Sequence, residues 1–476
     1  MKRVIINAKI ITPMRIIPNG SLVVDGCVIE SIYEGEPPAR YASFAQITPD
    51  APTVQSALSV PPVSSEQQTP SASLSSSAPP RGAEVYDAKW LYLSPGFIDA
   101  HVHGGGGFDF MDAEPDGIIG ACKTHMEHGT TTILPTSVAC PGDELIRMLD
   151  ACREVMGHMK DGPNIPGVHL EGPYFNLAMA GAQNPEYIIN PDPKQYNYLL
   201  DKYKEIIRWS AAPELPGGLD FGRELRKRGV LCSIAHSDAV WEEAREAFVN
   251  GYTHATHLYS GMSMTRRISA YRHGGVVEAA FLLDGMTVEI IADGKHLPEE
   301  LLKLIVKIKG YDKVMLVTDA MSAAGIGESA GGGSRSGVGA GGGSDVGLGG
   351  DVGLGGDVGL GGAGTGSNSG AWLGSLGSKK NAIDCIIEDG VAKTLDRQSF
   401  AGSVATADRL VRTMVKLAET PLCEAVRMMT LTPATIMGFR SKGAISEGMD
   451  ADIVLFDGDI NIKAVFVGGE PRVNRL

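Results

Sequence analysis

The sequence predicts an α/β fold, a TIM (β/α)8 barrel with a small flanking β-sandwich domain, and three observations carry that prediction. Residues 94–440 contain eight short apolar runs that alternate with helical patterns. Polar residues stand at or just past the ends of these runs, where such barrels carry their chemistry. The two ends of the chain instead alternate with the period of strands, which indicates a separate β module.

The terminal segments are strand-like. In residues 1–35, RVIINAKII is followed by SLVVDGCVIESIYEG, in which Asp25-Gly26 indicates a hairpin. A strand pattern returns near WLYLSPGF, and ADIVLFDGDINIKAVFVGGEPRV closes the chain in the same way. We therefore expect residues 1–35, 84–93 and 441–476 to form one β-sandwich domain beside the barrel.

Two compositionally biased stretches interrupt this pattern. Residues 36–83 are rich in Pro, Ser, Ala and Gln and cannot bury enough apolar area to offset their ordering entropy, which predicts a disordered insertion. Residues 326–377 are Gly/Ser-rich and predict a flexible insertion within the barrel. Three DVGLGG copies at 345–362 resemble calcium-binding β-helix repeats, but the six-residue period with one Asp per copy favours a linker.

The eight runs define the barrel strands. In chain order they are GFIDAHVH, TTTILPTS, IPGVHLEG, IIRWSAAPE, VLCSIAHS, YTHATHLYS, TVEIIADG and VMLVTDAM. Helical stretches such as LDFGRELRKRG and AVWEEAREAFVNG lie between them. Since the carboxyl ends of barrel strands meet at one rim, five chemically active side chains are expected there: His103, Glu171, His236, His257 and Asp319.

Composition and charge exclude several classes of function. The formal net charge of −14 argues against a nucleic-acid partner, although a local cation can still bind an anionic small molecule. The seven cysteines form no CxxC pair, which is typical of reduced thiols in the cytoplasm. Asn7, Lys9 and Pro13 interrupt any N-terminal signal peptide, and no apolar stretch is long enough to span a membrane. The sequence predicts a cytoplasmic protein.

The histidines and Glu171 predict a metal site. His101 and His103 are two residues apart on a strand and therefore share a face, so both imidazoles can hold one divalent cation. Together with Glu171, His236 and His257 they suit zinc or a similar ion, with positions left for water and substrate. Two metals bridged by Glu171 would use all five residues, and one metal on Glu171, His236 and His257 would use three.

Three further residues suggest hydrolysis. Asp319 is a candidate general acid/base for a water beside the cation, and the alternative is a helix N-cap. His296 could polarise the scissile carbonyl, and Arg272 could clamp a phosphate; a surface histidine and a solvated arginine are the alternatives. His254 is interpreted as structural because it lies earlier in its strand. The same interpretation applies to His125, His128, His158, His169 and His273.

The ordered segments resemble a known family. PGFIDAHVHGGGG, GVHLEGPYF, AHSDA, THLYSGM, ADGKH, LVTDAM, FAGS and LTPA are similar to the N-acetylglucosamine-6-phosphate deacetylases of the amidohydrolase superfamily. The resemblance covers most of residues 1–35 and 85–476 apart from the two insertions. It implies a TIM barrel with a flanking β-sandwich, hydrolysis of an N-acetyl amide, an amino-sugar phosphate substrate and a homodimer that completes the active site.

The resemblance also implies roles for individual residues. Metal binding falls on Glu171, His236 and His257, with a second metal at His101 and His103, and the catalytic acid/base is Asp319. The implied substrate contacts are Ala182, Ser260, Gly261, Arg272, His296, Phe400, Ala401 and Gly402.

Three departures from the family pattern lie on the sugar and phosphate side. Ser260 stands where Asn is usual, YRHGG replaces REPG but keeps Arg272, and Gln183 ends GAQ where GAH is typical. Metal-dependent hydrolysis is unaffected, whereas another N-acyl sugar phosphate, an N-acyl amino acid or a cyclic amide stays open as substrate. A non-catalytic barrel acting as a scaffold is disfavoured, because it should have lost ligands that this chain retains.

Overall fold

Eight parallel strands form a closed barrel in the computed structural model, which describes residues 1–38, 83–326 and 371–476. Strands β1 to β8 are Phe97–Val102, Thr130–Pro135, Val168–Glu171, Ile206–Ala211, Leu231–Ile234, Tyr252–Ala255, Thr287–Ile290 and Val314–Leu316. β1 pairs with β2, and β3 to β8 form one six-stranded ladder. A bridge between Thr136 and His169 joins β2 to β3, and the Asp319 N–H donates to the His101 carbonyl at 2.9 Å, which links β8 to β1.

The predicted barrel is confirmed, since each of the eight apolar runs contains one of these strands. Every residue of β1 and β2 is buried, which is why they read as continuous runs with no alternation. Neighbouring residues still face opposite sides: Trp209 packs outward against Tyr174 and Phe221, and Arg208 is buried on the barrel interior.

One helix follows each barrel strand, and two more complete the domain. Helices α1 to α10 are Pro115–Glu127, Gly142–His158, Pro193–Lys202, Gly218–Arg228, Trp241–Val249, Val276–Leu282, Glu299–Lys309, Ala407–Lys416, Leu422–Met429 and Leu431–Met437. Short 3-10 helices span Phe110–Asp112, Leu177–Met179 and Pro185–Tyr187. α4 shows how local sequence sets the bounds, because Gly229 ends it at φ 72° directly after three basic residues that favour a helix C-terminus.

The terminal segments form one curled sheet. Its strands are Lys2–Ile11, Ile16–Asp25, Val28–Glu34, Glu84–Asp87, Tyr92–Pro95, Ile453–Phe456, Ile462–Val467 and Glu470–Asn474. Arg3 in the first strand contacts Glu470 in the last at 2.7 Å, so the sheet bends back around an apolar core that includes Leu22, Leu455 and Phe466. The two faces of the expected sandwich therefore belong to one hydrogen-bonded sheet. Its first strand pairs with Ile16–Asp25 on one edge and with Tyr92–Pro95 on the other, and Tyr92–Pro95 pairs in turn with Ile453–Phe456.

Smaller sheets cover the rim of the barrel. Gly104–Gly105 pairs with Phe108–Asp109, Arg266–Ile268 pairs with Tyr271–His273, and a three-stranded sheet contains Trp372–Leu376, Ile383–Glu388 and Val391–Thr394. None of the helices in the three described ranges has the length and apolarity needed to cross a bilayer.

Both predicted insertions fall largely outside the described residues, and one boundary is corrected. The flexible insertion was expected to reach residue 377, but Trp372–Leu376 is a strand paired with Ile383–Glu388. The prediction used the average composition of the stretch, which is rich in glycine. It therefore missed a five-residue strand that is stabilised by hydrogen bonds to a later segment. Residues 39–82 and 327–370, which hold most of the two stretches, are not among those described.

Candidate metal centre and its cavity

The barrel brings all five predicted metal ligands to the ends of its strands. His101 lies in β1 with His103 just past it, Glu171 ends β3, and His236 and His257 each stand two residues beyond β5 and β6. Two triads have ligand atoms within 4.8 Å of one another: His101, His103 and Glu171, and Glu171, His236 and His257. All five residues are buried, and Glu171 belongs to both triads.

The Glu171 carboxylate faces all four imidazoles. Its Oε1 lies 2.9 Å from His257 Nε2 and 3.4 Å from His236 Nε2. Its Oε2 lies 3.5 Å from His103 Nε2 and accepts a hydrogen bond from Gln183 Nε2 at 2.6 Å. Burial alone would raise the pKa of this carboxyl, but His101 and the other imidazoles hold the pKa well below its usual range. An ionised carboxylate in this position can serve one cation or bridge two.

Each of the four imidazoles presents Nε2 to the centre, because its Nδ1–H donates to an oxygen elsewhere. The acceptors are Glu289 Oε1 for His101 (2.7 Å), the Thr136 carbonyl for His103 (3.3 Å), the Met179 carbonyl for His236 (2.8 Å) and the Ser260 carbonyl for His257 (3.1 Å). These oxygens only accept, so each Nδ1 carries a proton, and Nε2 is the nitrogen that can give a lone pair to a cation. His101 Nε2 is buried with no hydrogen-bond partner in the described ranges. A divalent metal ion fits this donor set.

The backbone turns sharply where three of these side chains enter the centre. His236, His257 and Asp319 have φ values of 46°, 27° and 46°, in the left-handed region that non-glycine residues rarely adopt. Such strain persists where the surrounding structure holds it, and it is frequent at functional sites. Here it directs each side chain into the barrel mouth directly after its strand.

Asp319 faces the same centre. Its Oδ1 lies 3.1 Å from His103 Nε2 and 3.4 Å from His101 Nε2. Burial would raise the pKa of this carboxyl, but the nearby histidines, His101 first, bring the pKa below its ordinary value. Within the described part of the chain its carboxylate accepts no hydrogen bond from the backbone that follows, so the N-cap alternative finds no support. An ionised carboxylate beside the ligands can accept a proton.

A cavity of about 320 Å³ opens above these residues. Of the predicted substrate contacts, six line it: Ala182, Ser260, Gly261, His296, Phe400 and Gly402. Ala401 is fully buried beside Met321 and does not line the cavity. Neither lysine nor arginine occurs among the described lining residues.

Arg272 lies elsewhere. It is on the exposed hairpin formed by Arg266–Ile268 and Tyr271–His273 and lines a separate surface cavity of about 610 Å³. A phosphate in the site cavity of this chain therefore does not meet its own Arg272. An arginine could be predicted from the sequence, whereas the course of the hairpin decides which cavity its side chain lines.

His296 is oriented by a carboxylate. Its Nδ1 lies 2.9 Å from Asp293 Oδ2, and its ring packs on Phe400 with centroids 4.4 Å apart. Because Nδ1–H donates to Asp293, a neutral His296 presents an Nε2 acceptor to the cavity. A neutral His296 can therefore accept a hydrogen bond from a sugar hydroxyl. The sequence interpretation, in which His296 polarises the scissile carbonyl, needs Nε2 to donate, and only the protonated imidazole can do that.

Three contacts of the site were not predicted. Glu289, Gln183 and Asp293 hold His101, Glu171 and His296 respectively. Glu289 is the one acid within the strand β7, and a charge among its apolar residues is the signal that could have identified it. His169 and His254 belong to neither triad, and they bond to Ser210 and Thr287, as expected of structural histidines.

Comparison with known proteins agrees with this geometry. Residues 92–475 match the profile of the Amidohydrolase family. The chain is 30% identical over 397 residues to the N-acetylglucosamine-6-phosphate deacetylase of Lysinibacillus sphaericus, covering 83% of this chain and 88% of that protein. It is 27% identical over 380 residues to the N-acetylgalactosamine-6-phosphate deacetylase of Escherichia coli O157:H7, covering 79% and 87%.

A solved structure supports the same relationship. The crystal structure of N-acetylglucosamine-6-phosphate deacetylase from Pasteurella multocida superposes with a TM-score of 0.74 at 25% identity and covers 100% of both chains. The family profile spans the barrel strands, every residue of both triads and Asp319. The chain belongs to the amidohydrolase family.

Proposed function

We propose that this protein hydrolyses N-acetylglucosamine 6-phosphate to acetate and glucosamine 6-phosphate, a step of amino-sugar catabolism. The observation that carries the proposal is the convergence of Asp319 with two imidazole–carboxylate triads at the floor of one cavity. Its support is the match to deacetylases over more than three quarters of the chain.

Glu171, His236 and His257 would hold one zinc ion, and His101, His103 and Glu171 would hold a second. Imidazole-rich sets favour zinc and similar ions over magnesium and calcium, which prefer oxygen ligands. Such a cation supplies Lewis acidity, which lowers the pKa of a nearby water and polarises a carbonyl group.

The residues of the chain move the protons. Asp319 accepts a proton from water as the water oxygen adds to the acetyl carbon. It then returns that proton to the sugar nitrogen as the C–N bond breaks, so acetate and a free amine leave. His296, held by Asp293, accepts a hydrogen bond from a sugar hydroxyl and positions the ring.

The phosphate requires a cation that the described lining of the cavity lacks. We propose a homodimer in which the partner subunit's Arg272 reaches the cavity mouth. Support comes from the exposed apolar side chains around the hairpin, Met264, Ile268, Tyr271 and Leu282, since such patches are typical of interaction surfaces. All seven cysteines are free, which supports a reducing, cytoplasmic location.

A substrate panel tests the function. We expect amine release from N-acetylglucosamine 6-phosphate, loss of this activity in a strong chelator and recovery with zinc. N-acetylgalactosamine 6-phosphate is the second candidate, because one relative acts on that epimer by name and Ser260 replaces the usual Asn. Faster hydrolysis of an N-acyl amino acid or a cyclic amide than of either sugar phosphate would reject the proposal.

Arg272→Ala is expected to raise KM for the phosphorylated sugar by about 10- to 100-fold, because charge-assisted hydrogen bonds contribute about 1.5–3 kcal/mol. KM for the unphosphorylated sugar should not change. Arg267→Ala, on the opposite strand of the same hairpin, is the matched control. Equal effects on both sugars would contradict a phosphate contact.

Mixed dimers separate a contact within one chain from a contact across subunits. A purified heterodimer of one Asp319→Asn chain and one Arg272→Ala chain should recover activity that neither homodimer has at low substrate concentration. Its Arg272→Ala chain keeps Asp319 and receives Arg272 from the partner subunit. If both residues acted within one chain, no site would be complete and no recovery would occur.

A further inference from the structure

A buried ion pair lies beneath the metal triads, inside the barrel. Arg208 from β4 and Glu289 from β7 contact at 2.6 Å, and both side chains are fully buried. Neither residue lines the site cavity, so neither reaches substrate. Barrel interiors are usually filled by branched apolar side chains, and a buried ion pair is often no more stable than apolar residues of the same volume. Stability alone therefore gives no reason for the pair.

The Glu289 carboxylate contacts one ligand from each triad. Its Oε1 accepts the His101 Nδ1–H at 2.7 Å and the His257 backbone N–H at 3.0 Å. Its Oε2 faces Arg208 and lies 3.5 Å from His254 Nε2. The contact with His101 involves the ligand imidazole itself, whereas the contact with His257 involves only its backbone.

Arg208 supports the same two ligands from the other side. Its guanidinium donates to the Ala100 carbonyl at 3.1 Å and to Thr256 Oγ1 at 3.3 Å. Ala100 and Thr256 directly precede His101 and His257 in the sequence. Arg208 thus neutralises Glu289 and contacts the backbone directly before His101 and the side chain directly before His257.

We infer that Glu289, held by Arg208, is a positioning residue on which tight cation binding by the His101–His103–Glu171 triad depends. The inference rests on the two-cation centre of the proposed function. His101 is the one ligand imidazole oriented by a carboxylate, since backbone carbonyls hold His103, His236 and His257. A carboxylate bonded to a ligand imidazole fixes its tautomer and raises its basicity, and loss of such a partner weakens metal affinity by about 10- to 100-fold.

Glu289→Gln tests the inference without any substrate. The metal-free full-length protein is titrated with zinc against a chromophoric chelator, and zinc per chain is measured by elemental analysis. We expect two zinc ions in the wild type; in the variant one of them should lose affinity by about 10- to 100-fold, and the other should be retained with wild-type affinity. Asp452→Asn is the control, because it also removes a buried carboxylate paired with a cation, Lys442 at 2.6 Å, just before the strand Ile453–Phe456 of the terminal sheet.

A second variant separates positioning from folding. Glu289→Gln combined with Arg208→Met restores charge balance inside the barrel, so thermal stability should recover while weak binding of the second zinc persists. Recovery of that zinc in the double variant would overturn the inference. So would wild-type affinity in Glu289→Gln, equal weakening of both zinc ions, or one zinc per wild-type chain. A wild type that binds two zinc ions but hydrolyses no sugar phosphate would reject the proposed function and leave this inference standing.

Discussion

Replacing Asp319 with Asn is expected to lower kcat by about 10²- to 10⁴-fold, the usual contribution of general acid–base catalysis. Asn has the same size but cannot take a proton from water or return it to the leaving amine. The local backbone should be retained, because the Asp319 N–H donates to His101 and its carbonyl accepts from Ser403, and neither bond uses the side chain. The measurement is steady-state amine release.

The zinc content of the Asp319→Asn variant distinguishes catalysis from metal binding. Asp319 lies outside both triads, so zinc per chain and KM should stay close to wild type. Asp452→Asn, directly before a strand of the terminal sheet, should leave kcat unchanged. Undiminished turnover by Asp319→Asn would reject its role, and a loss of zinc matching the loss of activity would make it a ligand and not the acid/base.

The features predicted correctly from the sequence depend on local patterns. Strands buried on both faces, such as β2, produce continuous apolar runs, and the residues just past those runs gather at one rim because all the strands are parallel. The convergence of the five predicted ligand side chains followed from that geometry, and their binding of metal stays a prediction. The resemblance then added substrate contacts, of which Ser260 and Phe400 line the cavity and Ala401 does not.

The features that were missed depend on pairings between distant segments. Arg208 and Glu289 are 81 positions apart, and each reads as an isolated charge in an apolar run, so only the closed barrel shows that they meet. Arg272 was identified by residue type, but its hairpin places it outside the cavity of its own chain. The strand Trp372–Leu376 was assigned to the glycine-rich insertion, because the segment with which it pairs, Ile383–Glu388, lies outside that insertion.

Replacement of Glu171, the carboxylate shared by both triads, should have the largest effect on metal binding. Glu171→Gln is expected to lower the affinity of both triads for zinc and to reduce kcat/KM by about 10³-fold or more, because the metal contributes several kcal/mol to such reactions. The neutral amide removes the charge that the four imidazoles face. The NH2 group of the introduced amide would also face one of two unsuitable partners. It would either occupy an imidazole Nε2 lone pair that the cation needs or meet the Gln183 NH2, which is itself a donor.

His103→Gln is the matched comparison, because His103 belongs to one triad only. It should lose one zinc ion per chain and retain the other, whereas Glu171→Gln should retain neither at the same free zinc concentration. Zinc should raise the Tm of the wild type, since a ligand that binds only the folded state stabilises it, and the Tm of Glu171→Gln should respond little. A Glu171→Gln chain that still binds one zinc with wild-type affinity would show that the two triads do not depend on a common carboxylate.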